Sequence, residues 1–432
     1  MAKPLRVGVA GLGVVGASLI RLLQRVRADL LIRTGRDVVV RGVSARSNRD
    51  RGVDLSGASF FSDPLDLAAN GEIDLFVELI GGADGAAYES VRVALYRGLS
   101  VVTANKAMLA AHGVELAALA EQSGVALGFE AAVGGGVPVI KTLREGLAGN
   151  SIRRVAGILN GTCNYILSRM ETERLPFAVC LAEAQRLGYA EADPTFDIGG
   201  FDTAHKLAIL ASLAFGTRVD ASAVWIEGIE QITLADLVAA DELGFRIKLL
   251  GVAERTDHGV EQRVHPTMIA KSHPIAQTMG VLNAVTIDGD AVGSLTLVGA
   301  GAGGDATASA VAADIADIAR GIVDPVFGRP VDTLVDAERA SPQRHEGGYY
   351  IRLEVVDRPG AIGIIATRMG ERHISLEAVQ QKRPQSDVPG AVVPVVLITH
   401  ATTEALIREA LEKTVADGVV RGAPQVIRIE RS

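Results

Sequence analysis

Ionisable side chains and loop-forming residues are densest between positions 188 and 206. The segment reads GYAEADP at 188–194 and GGFDTAHK at 199–206. Pro194 and the paired glycines predict a loop, and a helix is expected to follow from about Asp202 to Phe215. Asp202 and Lys206 lie four residues apart and therefore share one helix face. Because that face continues with apolar residues, we expect the pair to be partly buried.

A buried aspartate–lysine pair fits two different roles. Burial and a neighbouring carboxylate act in opposite directions on a lysine's hold on its proton, and that balance suits proton transfer. The alternative is an ordinary helix salt bridge, which contributes about 0.3–0.5 kcal/mol. The spacing alone does not separate these two roles.

A second pattern, GLGVVG at 11–16, follows a predicted strand at Arg6–Ala10 and opens a predicted helix. Gly11 allows a tight turn, Gly13 lets backbone N–H groups approach phosphate, and Gly16 lets the helix pack closely. Val14 and Val15 begin the helix, whose N-terminus favours negative charge. The unit predicts a dinucleotide-binding loop, against the alternative of a tight turn without a ligand.

The end of the second strand indicates which dinucleotide is bound. A carboxylate placed there would hold the ribose of NAD, but Asp37 lies at the opposite end of the strand. Arg46 lies where the 2′-phosphate of NADP is expected, and a guanidinium pairs well with phosphate. We therefore expect NADP(H) to be preferred, with NAD(H) possible. A solvated loop arginine is the alternative interpretation of Arg46.

Two further residues follow predicted strands. Lys106 comes directly after the strand at 100–103, and ligands of open α/β sheets bind at such strand ends. It could meet a cofactor or a substrate carboxylate, or simply begin the next helix at the surface. Glu130 precedes the loop VGGGV at 133–137, whose carbonyls could help it hold a monovalent cation. A hinge between domains is the alternative there.

The order of predicted elements places these residues in an α/β protein with three parts. Residues 1–132 alternate apolar strands with helices, which predicts a Rossmann-type parallel sheet, and the helix at 303–325 is expected to return to it. Residues 133–302 are predicted to form an α+β domain, in which we expect helices to dominate from 176 to 250. Residues 329–348 are predicted to be a linker. Residues 349–432 follow the βαββαβ order of a ferredoxin-like fold.

Composition excludes several classes of function. The 432 residues include 43 Lys and Arg against 51 Asp and Glu, a net charge of −8 that argues against nucleic-acid binding. Two cysteines cannot build a disulfide framework and fit a reducing compartment. No apolar run reaches the length of a spanning helix, and the first residues lack a signal-peptide core. We expect a cytoplasmic protein that has no contact with membranes.

Together these motifs resemble the homoserine dehydrogenase family over roughly residues 5–325. The motifs that carry the resemblance are GLGVVG (11–16), ELIGG (78–82), VTANKA (102–107), FEAAVGGGVPVI (129–140), GILNGTCNYIL (157–167), GYAEADPTFDIGGFDTAHKLAIL (188–210) and GAGAGGDATASAV (299–311). The resemblance implies NAD(P)H-dependent reduction of L-aspartate 4-semialdehyde to L-homoserine, on the branch to threonine, methionine and isoleucine. The usual NGTTNY reads NGTCNY here, with Cys163 replacing a threonine.

The resemblance also implies roles for individual residues. Lys206 corresponds to the proton donor, and Glu191 and Asp202 correspond to substrate contacts. Lys106 lies beside cofactor and substrate, and Gly303 closes on the cofactor. Glu130 with the carbonyls of Val133, Gly135 and Val137 corresponds to a sodium site.

The final βαββαβ unit, with DRPG at 357–360, resembles the ACT module that binds amino acids. The resemblance implies feedback control, most plausibly by L-threonine, in a homo-oligomer that is a dimer or tetramer. Two rivals fit parts of the chain: another ACT-bearing dehydrogenase, such as a 2-hydroxy-acid dehydrogenase, and a non-catalytic protein that senses NADP and amino acids. The first predicts a His/Glu catalytic pair, and the second needs no ionisable substrate pocket. Retention of Lys206, Asp202 and Glu191 argues against both.

Overall fold

Two β-sheets organise the chain. The computed structural model describes residues 2–340, 346–381 and 391–430. One sheet has six strands, all paired in parallel, and the other is a mixed sheet of eleven strands. Within the described residues, none of the helices combines the length and the apolar character needed to cross a bilayer.

The six-stranded sheet is the predicted parallel Rossmann-type sheet. Its strands are β1 (Leu5–Ala10), β2 (Val38–Ser44), β3 (Ser59–Phe61), β4 (Leu75–Glu78), β5 (Ser100–Thr103) and β6 (Leu127–Gly128), in the order β3-β2-β1-β4-β5-β6. The helices between them are α1 (Val14–Arg25), α2 (Arg27–Thr34), α3 (Pro64–Ala69), α4 (Ala86–Tyr96) and α5 (Lys106–Gln122). The chain moves outward from β1 in both directions, so a crevice opens at the carboxyl ends of β1 and β4.

The middle of the chain contributes helices and the long strands of the mixed sheet. These elements are α6 (Val139–Lys141), β7 (Ile152–Ile158), α7 (Gly161–Glu173), α8 (Phe177–Arg186), α9 (Thr195–Ile198), α10 (Phe201–Phe215), β8 (Trp225–Ile226), α11 (Leu234–Glu242), β9 (Phe245–Thr256), β10 (Gly259–Ala270), β11 (Leu282–Gly289), β12 (Gly293–Ala300) and α12 (Gly304–Arg320).

One predicted boundary in this region is wrong. Helices were expected as far as 250, but α11 ends at Glu242 and β9 begins at Phe245. Strand β9 pairs with β7 on one side and β10 on the other, and Ile247 to Ala253 are buried. A strand buried on both faces has a continuous apolar run, which periodicity does not distinguish from a buried helix.

Helix α12 packs on the first sheet's layer. Ala308, Val311 and Ile315 share a buried cluster with Leu19 and Leu23 of α1. The helix ends at Arg320 because Gly321 adopts a left-handed conformation (φ 83°) and caps it. At the other end of the helix, Gly304 lies against Val14 and Ser18 of α1.

The C-terminal elements follow the predicted βαββαβ order. They are β13 (Glu346–Val356), α13 (Ala361–Gly370), β14 (Leu376–Gln381), β15 (Val392–Thr399), the short β16 (Thr402–Thr403), α14 (Glu404–Ala416) and β17 (Val420–Glu430). The strands lie antiparallel in the order β17-β13-β15-β14. Part of the expected linker, 341–345, lies outside the described residues, and its last three residues already belong to β13.

The C-terminal sheet is not separate from the middle one. Strand β17 pairs in parallel with β10, with Thr267 opposite Arg428 and Ile269 opposite Glu430. This pairing joins the two sets of strands into the single mixed sheet. We call this contact between β10 and the C-terminal elements the seam.

Candidate active site

The glycine loop at 11–16 has the local geometry that a pyrophosphate needs. Gly11 adopts φ 101°, and a Cβ at this position would lie 2.3 Å from the carbonyl oxygen of Leu79. Nothing lies within 4 Å of the Cβ position of Gly13, so the backbone is open to a ligand there. Val14, the first residue of α1, is 75% exposed. An open loop before a helix N-terminus suits an anionic group.

A buried carboxylate organises the neighbouring loops. Glu78, at the end of β4, is fully buried and accepts the N–H groups of Ile80 (2.7 Å) and Gly81 (3.0 Å). Its other oxygen accepts the hydroxyl of Thr103 at 2.6 Å. Sequence reasoning missed this role, although a charged residue ending an apolar strand is the signal that could have revealed it.

Asn105 places Lys106 at the start of α5. The side-chain oxygen of Asn105, Oδ1, caps the helix by accepting the N–H of Met108 at 3.1 Å. Its amide nitrogen donates to the carbonyl of Gly82 at 2.7 Å. Lys106 therefore projects from a fixed helix start at the carboxyl end of the sheet.

The loop after β2 keeps Arg46 accessible. Arg46 is exposed, and no side-chain bond of it occurs within the described residues. Arg51 holds the loop by donating to the carbonyls of Leu12 (2.8 Å) and Ser47 (2.8 Å). Asp37, at the other end of β2, pairs with Arg27, whose hydrogen bond lowers the pKa of that carboxyl. Asp37 therefore lies at the end of β2 opposite Arg46, where it is paired with Arg27.

Asp202 is the centre of the polar cluster between the two sheets. Its two oxygens lie 2.8 Å from Lys206 Nζ and 3.1 Å from Lys106 Nζ. Burial opposes ionisation, but the charges of Lys206 and Lys106 outweigh it and lower the pKa of Asp202. The pair predicted from spacing is therefore a buried ion pair on α10, and a second lysine from the first sheet's layer joins it.

Lys206 has a second acceptor. Its Nζ donates to the carbonyl oxygen of Leu159, at the end of β7, at 2.7 Å. The side chain is 10% exposed, against 34% for Lys106. Lys206 is thus held between a carboxylate and a backbone carbonyl in a largely dry position, where electrostatic interactions are strengthened.

Asn160 brings a second carboxylate into the cluster. Its side-chain oxygen, Oδ1, caps α7 by accepting the N–H of Cys163. Its side-chain nitrogen, Nδ2, donates to Asp197 and Asp202, both at 2.8 Å. Burial raises the pKa of Asp197. Sequence reasoning missed Asp197, which lies on the short helix α9 just before α10. Its nearness to Asp202 in the chain was the available signal.

Glu191, a predicted substrate contact, is not bonded to the cluster around Asp202. It is exposed, and its carboxylate bonds to none of the described residues. Thr162, on the first turn of α7, donates to the carbonyl of Tyr189 at 2.6 Å and anchors this loop.

Cys163 is fully buried near Asp197, and burial raises the pKa of its thiol, which disfavours the reactive thiolate.

The Glu130 carboxylate is buried and bonded to backbone. Its oxygens accept the N–H groups of Ile140 (2.9 Å) and Lys141 (2.8 Å). Burial raises its pKa to about 7, and burial also raises the pKa of the neighbouring Asp314 to about 6. Lys141 Nζ lies 3.6 Å from Asp314 Oδ1, and its charge only partly offsets the effect of burial on these two carboxyl groups.

The loop after Glu130 could supply further oxygen ligands. Val133, Gly135 and Val137 are all buried. The Val137 carbonyl already accepts the N–H of Val139 at 2.8 Å. No group of three His, Cys, Asp or Glu side chains with metal-site geometry occurs in 2–340, 346–381 or 391–430. Any cation here would depend on the single carboxylate and on backbone carbonyls.

The glycine-rich loop at 299–304 contacts both the loop at 133–137 and helix α1. Gly303 has φ 113° and precedes α12. A Cβ on Gly304 would lie 2.7 Å from Ser18 Oγ of α1. The carbonyl of Ala300 accepts the N–H of Gly136 at 2.9 Å. The predicted cofactor loop, the predicted cation loop and α1 therefore meet at one place.

Comparison with known proteins gives a consistent result. A family model described as "Homoserine dehydrogenase, NAD binding domain" matches residues 11–130, and one described as "Homoserine dehydrogenase" matches residues 138–316. The homoserine dehydrogenase of Pseudomonas aeruginosa is 45% identical over 99% of this chain and 99% of that protein.

Solved structures agree with these sequence matches. The crystal structure of a homoserine dehydrogenase from Thiobacillus denitrificans superposes with a TM-score of 0.92 at 43% identity, covering 99% of this chain and 98% of that one. A hyperthermophilic archaeal homoserine dehydrogenase in complex with NADPH gives a TM-score of 0.63 at 27% identity. That match covers 74% of this chain and 99% of the archaeal one.

Proposed function

The chain belongs to the homoserine dehydrogenase family, and we propose that Lys206 is the group that exchanges a proton with the substrate oxygen. Its activity is that of a homoserine dehydrogenase, an NAD(P)-binding oxidoreductase of amino-acid biosynthesis. The observation that carries the proposal is the placement of the Lys206 ammonium between Asp202 and the Leu159 carbonyl. A lysine held in this way presents a proton at a fixed position.

In the reductive direction, NAD(P)H would supply, when bound, the hydride that reduces the aldehyde carbon. Lys206 then transfers a proton from Nζ to the developing alkoxide oxygen, which completes the alcohol and leaves a neutral amine. Asp202 keeps that ammonium oriented before transfer and stabilises its charge. Solvent returns a proton to Lys206 after the alcohol leaves. In the oxidative direction, the neutral amine accepts the hydroxyl proton.

The same cluster supplies contacts for an amino-acid substrate. Carboxylates suit the substrate ammonium, and Asp202 and Glu191 are our proposed contacts, with Asp197 added by its position beside Asn160. Lys106 is partly exposed beside Asp202 and suits the substrate carboxylate or the cofactor. Recognition of the charged ends would separate L-aspartate 4-semialdehyde from simple aldehydes.

Lys206→Ala tests the proposal directly. Homoserine-dependent reduction of NADP⁺ should lose about 10²–10⁴ in kcat, the usual size of general acid–base catalysis. The Kd of NADPH should stay near the wild-type value, because the dinucleotide loop belongs to the first sheet's layer. A variant that keeps kcat within a few-fold and loses only thermal stability would remove Lys206 from proton transfer.

We further propose that NADP(H) is preferred over NAD(H) and that Arg46 meets the 2′-phosphate. The exposed guanidinium at the carboxyl end of β2 supports this, as does the engagement of Asp37 with Arg27. Gly11, Gly13, Val14, Val15 and Gly16 would hold the pyrophosphate, and Gly303 would close on the cofactor.

A monovalent cation, Na⁺, is our proposal for the loop beside Glu130. A carboxyl whose pKa is raised by burial to about 7 gains stability from a nearby positive charge. The Glu130 carboxylate with the carbonyls of Val133, Gly135 and Val137 would hold the ion. Its role there would be to fix the loop that bonds to Ala300, rather than to take part in the reaction.

We propose that the C-terminal unit is an ACT regulatory domain that binds an amino acid, L-threonine being the first candidate. The ferredoxin-like order of its strands supports this. We propose residues 1–132 with 303–325 as the cofactor domain, 133–302 as the substrate and dimerisation domain, and 349–432 as the regulatory domain. A dimer or tetramer is expected. Inhibition of homoserine oxidation by L-threonine would test the regulatory role.

A further inference from the structure

The Leu159 carbonyl, which accepts a hydrogen bond from Lys206, also accepts one from Asn283, a residue distant in the chain. The oxygen of Leu159 accepts Lys206 Nζ at 2.7 Å and Asn283 Nδ2 at 3.1 Å. A carbonyl oxygen has two lone pairs, so these two donors satisfy it. Asn283 lies near the start of β11 and is 1% exposed. The orientation of the Leu159 carbonyl is therefore set from both sides.

The rest of the Asn283 amide faces the glycine loop at 299–304. A Cβ added to Gly301 would lie 2.0–2.3 Å from the Cγ, Nδ2 and Oδ1 atoms of Asn283. The Oδ1 atom is buried, and no hydrogen-bond partner for it occurs in the part of the chain that the structure describes. The hydrogen bond that this buried amide makes is therefore the one from its nitrogen to the Leu159 carbonyl. Because Gly301 has no side chain, the amide has the space it needs.

We propose that Asn283 is a positioning residue for Lys206, acting through the Leu159 carbonyl. It fixes the carbonyl that receives one ammonium hydrogen, so that the remaining hydrogens point at Asp202 and at the substrate oxygen. The loop at 299–304, which packs on the same amide and on α1, is thereby connected to the lysine by direct contacts. Among the described residues, the Asn283 side chain donates to the Leu159 carbonyl, and Lys206 donates to that carbonyl and to Asp202. This inference rests on the proposed role of Lys206 as proton donor.

Two isosteric variants and one matched control test the proposal. Asn283→Leu removes both polar atoms, and Asn283→Asp removes the donor while keeping the shape. The control is Thr286→Val, three residues further along β11, which deletes a partly buried hydrogen bond between the buried Thr286 and Thr296 (2.8 Å). Steady-state kinetics with homoserine and NADP⁺ would be measured together with the thermal midpoint of each variant.

Both Asn283 variants should lose about 10–100-fold in kcat, the size expected when a reacting group is misplaced by a fraction of an ångström to an ångström. The KM for NADP⁺ should change by less than about two-fold in Asn283→Asp, because that variant keeps the shape that packs against Gly301 and so leaves the loop at 299–304 in place. The solvent deuterium isotope effect on kcat should rise, since proton transfer becomes slower than the steps around it. Thr286→Val should keep kcat and the isotope effect near wild type.

Two outcomes would overturn the proposal. One is an Asn283→Leu or Asn283→Asp enzyme that is folded and retains kcat within about three-fold. The other is a loss of kcat in Thr286→Val as large as in the Asn283 variants, which would indicate a general effect of the strand. Lys206→Ala measured alongside separates the claims: if it stays active, the proton-donor role fails, and if it is inactive while Asn283→Asp is active, only this inference fails.

Discussion

Two of the buried charge clusters among the described residues use different cations. At the candidate active site, Lys106 and Lys206 meet at the carboxylate of Asp202. At the seam, Arg263 is fully buried and lies 2.8 Å from Glu430 and 2.9 Å from Glu261. Both clusters place charge where water is scarce, yet one contains ammonium groups and the other contains guanidinium groups.

The seam extends in both directions through further arginines. Arg154 of β7 lies 3.0 Å from Glu430, and Arg428 of β17 pairs with Glu404 at the start of α14. Planar guanidinium groups bond carboxylates through several N–H donors and hold their proton at any ordinary pH. An ammonium group can give up its proton when its surroundings favour that. The guanidinium groups of the seam therefore stay charged, whereas the ammonium groups around Asp202 suit the proton exchange that we propose for Lys206.

The largest expected effect lies at the seam. Arg263→Met removes the buried guanidinium and leaves Glu261 and Glu430 without it, which should lower the free energy of unfolding by about 3–5 kcal/mol. The kcat of the folded enzyme should change little, because the seam contains no group proposed to react. Urea denaturation and steady-state kinetics would measure both quantities.

The control for this variant is Arg92→Met. Arg92 pairs with Glu89 on the exposed face of α4, where both side chains are nearly half exposed. A surface pair of this kind contributes about 0–1 kcal/mol. Equal destabilisation by Arg263→Met and Arg92→Met would break the view of the seam as a buried structural network.

The next effect concerns Glu130, a buried carboxyl group whose hydrogen bonds come from backbone N–H groups and not from an arginine. The pKa of Glu130 is raised from 4.5 to about 7 by burial, so the folded state holds its proton more tightly than the unfolded state. Its stabilising contribution is present below pH 4.5 and is lost as pH rises through 7, by about 3 kcal/mol at most. Glu130→Gln should therefore remove a fall in stability between pH 5 and 8.

Sodium sharpens this second prediction. If Na⁺ binds the ionised carboxylate, it should reduce the loss of stability of the wild-type protein at pH 8 and leave Glu130→Gln unaffected. Thermal midpoints in choline and sodium buffers of equal ionic strength would measure this. Parallel pH curves for the two proteins would rule out the titration of Glu130, and identical midpoints in both buffers would rule out the sodium site.

The smallest expected effect tests an arginine that stays in solvent. Arg46→Ala should raise the KM for NADPH about ten-fold or more, the value of one charge-assisted hydrogen bond to phosphate, and should leave the KM for NADH nearly unchanged. Arg33→Ala is the control, because Arg33 is exposed on α2 at the opposite end of the sheet. Equal changes for both cofactors would remove Arg46 from the recognition of the 2′-phosphate.

Features that depend on local spacing could be predicted from the sequence. The Asp202–Lys206 ion pair followed from a separation of four residues on a helix, and the glycine loop before α1 followed from its three glycines. The order of the C-terminal elements was readable for the same reason, because each strand and helix has its own apolar period. The displacement of Asp37 from the ribose end of β2 also needed only the strand limits.

Features that depend on contacts between distant segments could not be predicted. Nothing near Leu159 indicates that its carbonyl holds Lys206, and nothing near Asn283 indicates that it bonds to Leu159. The pairing of β10 with β17 joins strands more than 150 residues apart, and each strand is plausible by itself without the other. Strand β9 was mistaken for helix because its burial comes from partners on both sides.

The most direct test of the contrast between the clusters is Lys206→Arg. Arginine keeps the positive charge beside Asp202 but does not release its proton near neutral pH. Our account predicts that kcat falls by about 10²-fold or more, while the thermal midpoint and the Kd of NADPH stay close to wild type. A Lys206→Arg enzyme that retains kcat within a few-fold would contradict it, because Lys206 would then serve the active site as a fixed charge, as the arginines serve the seam.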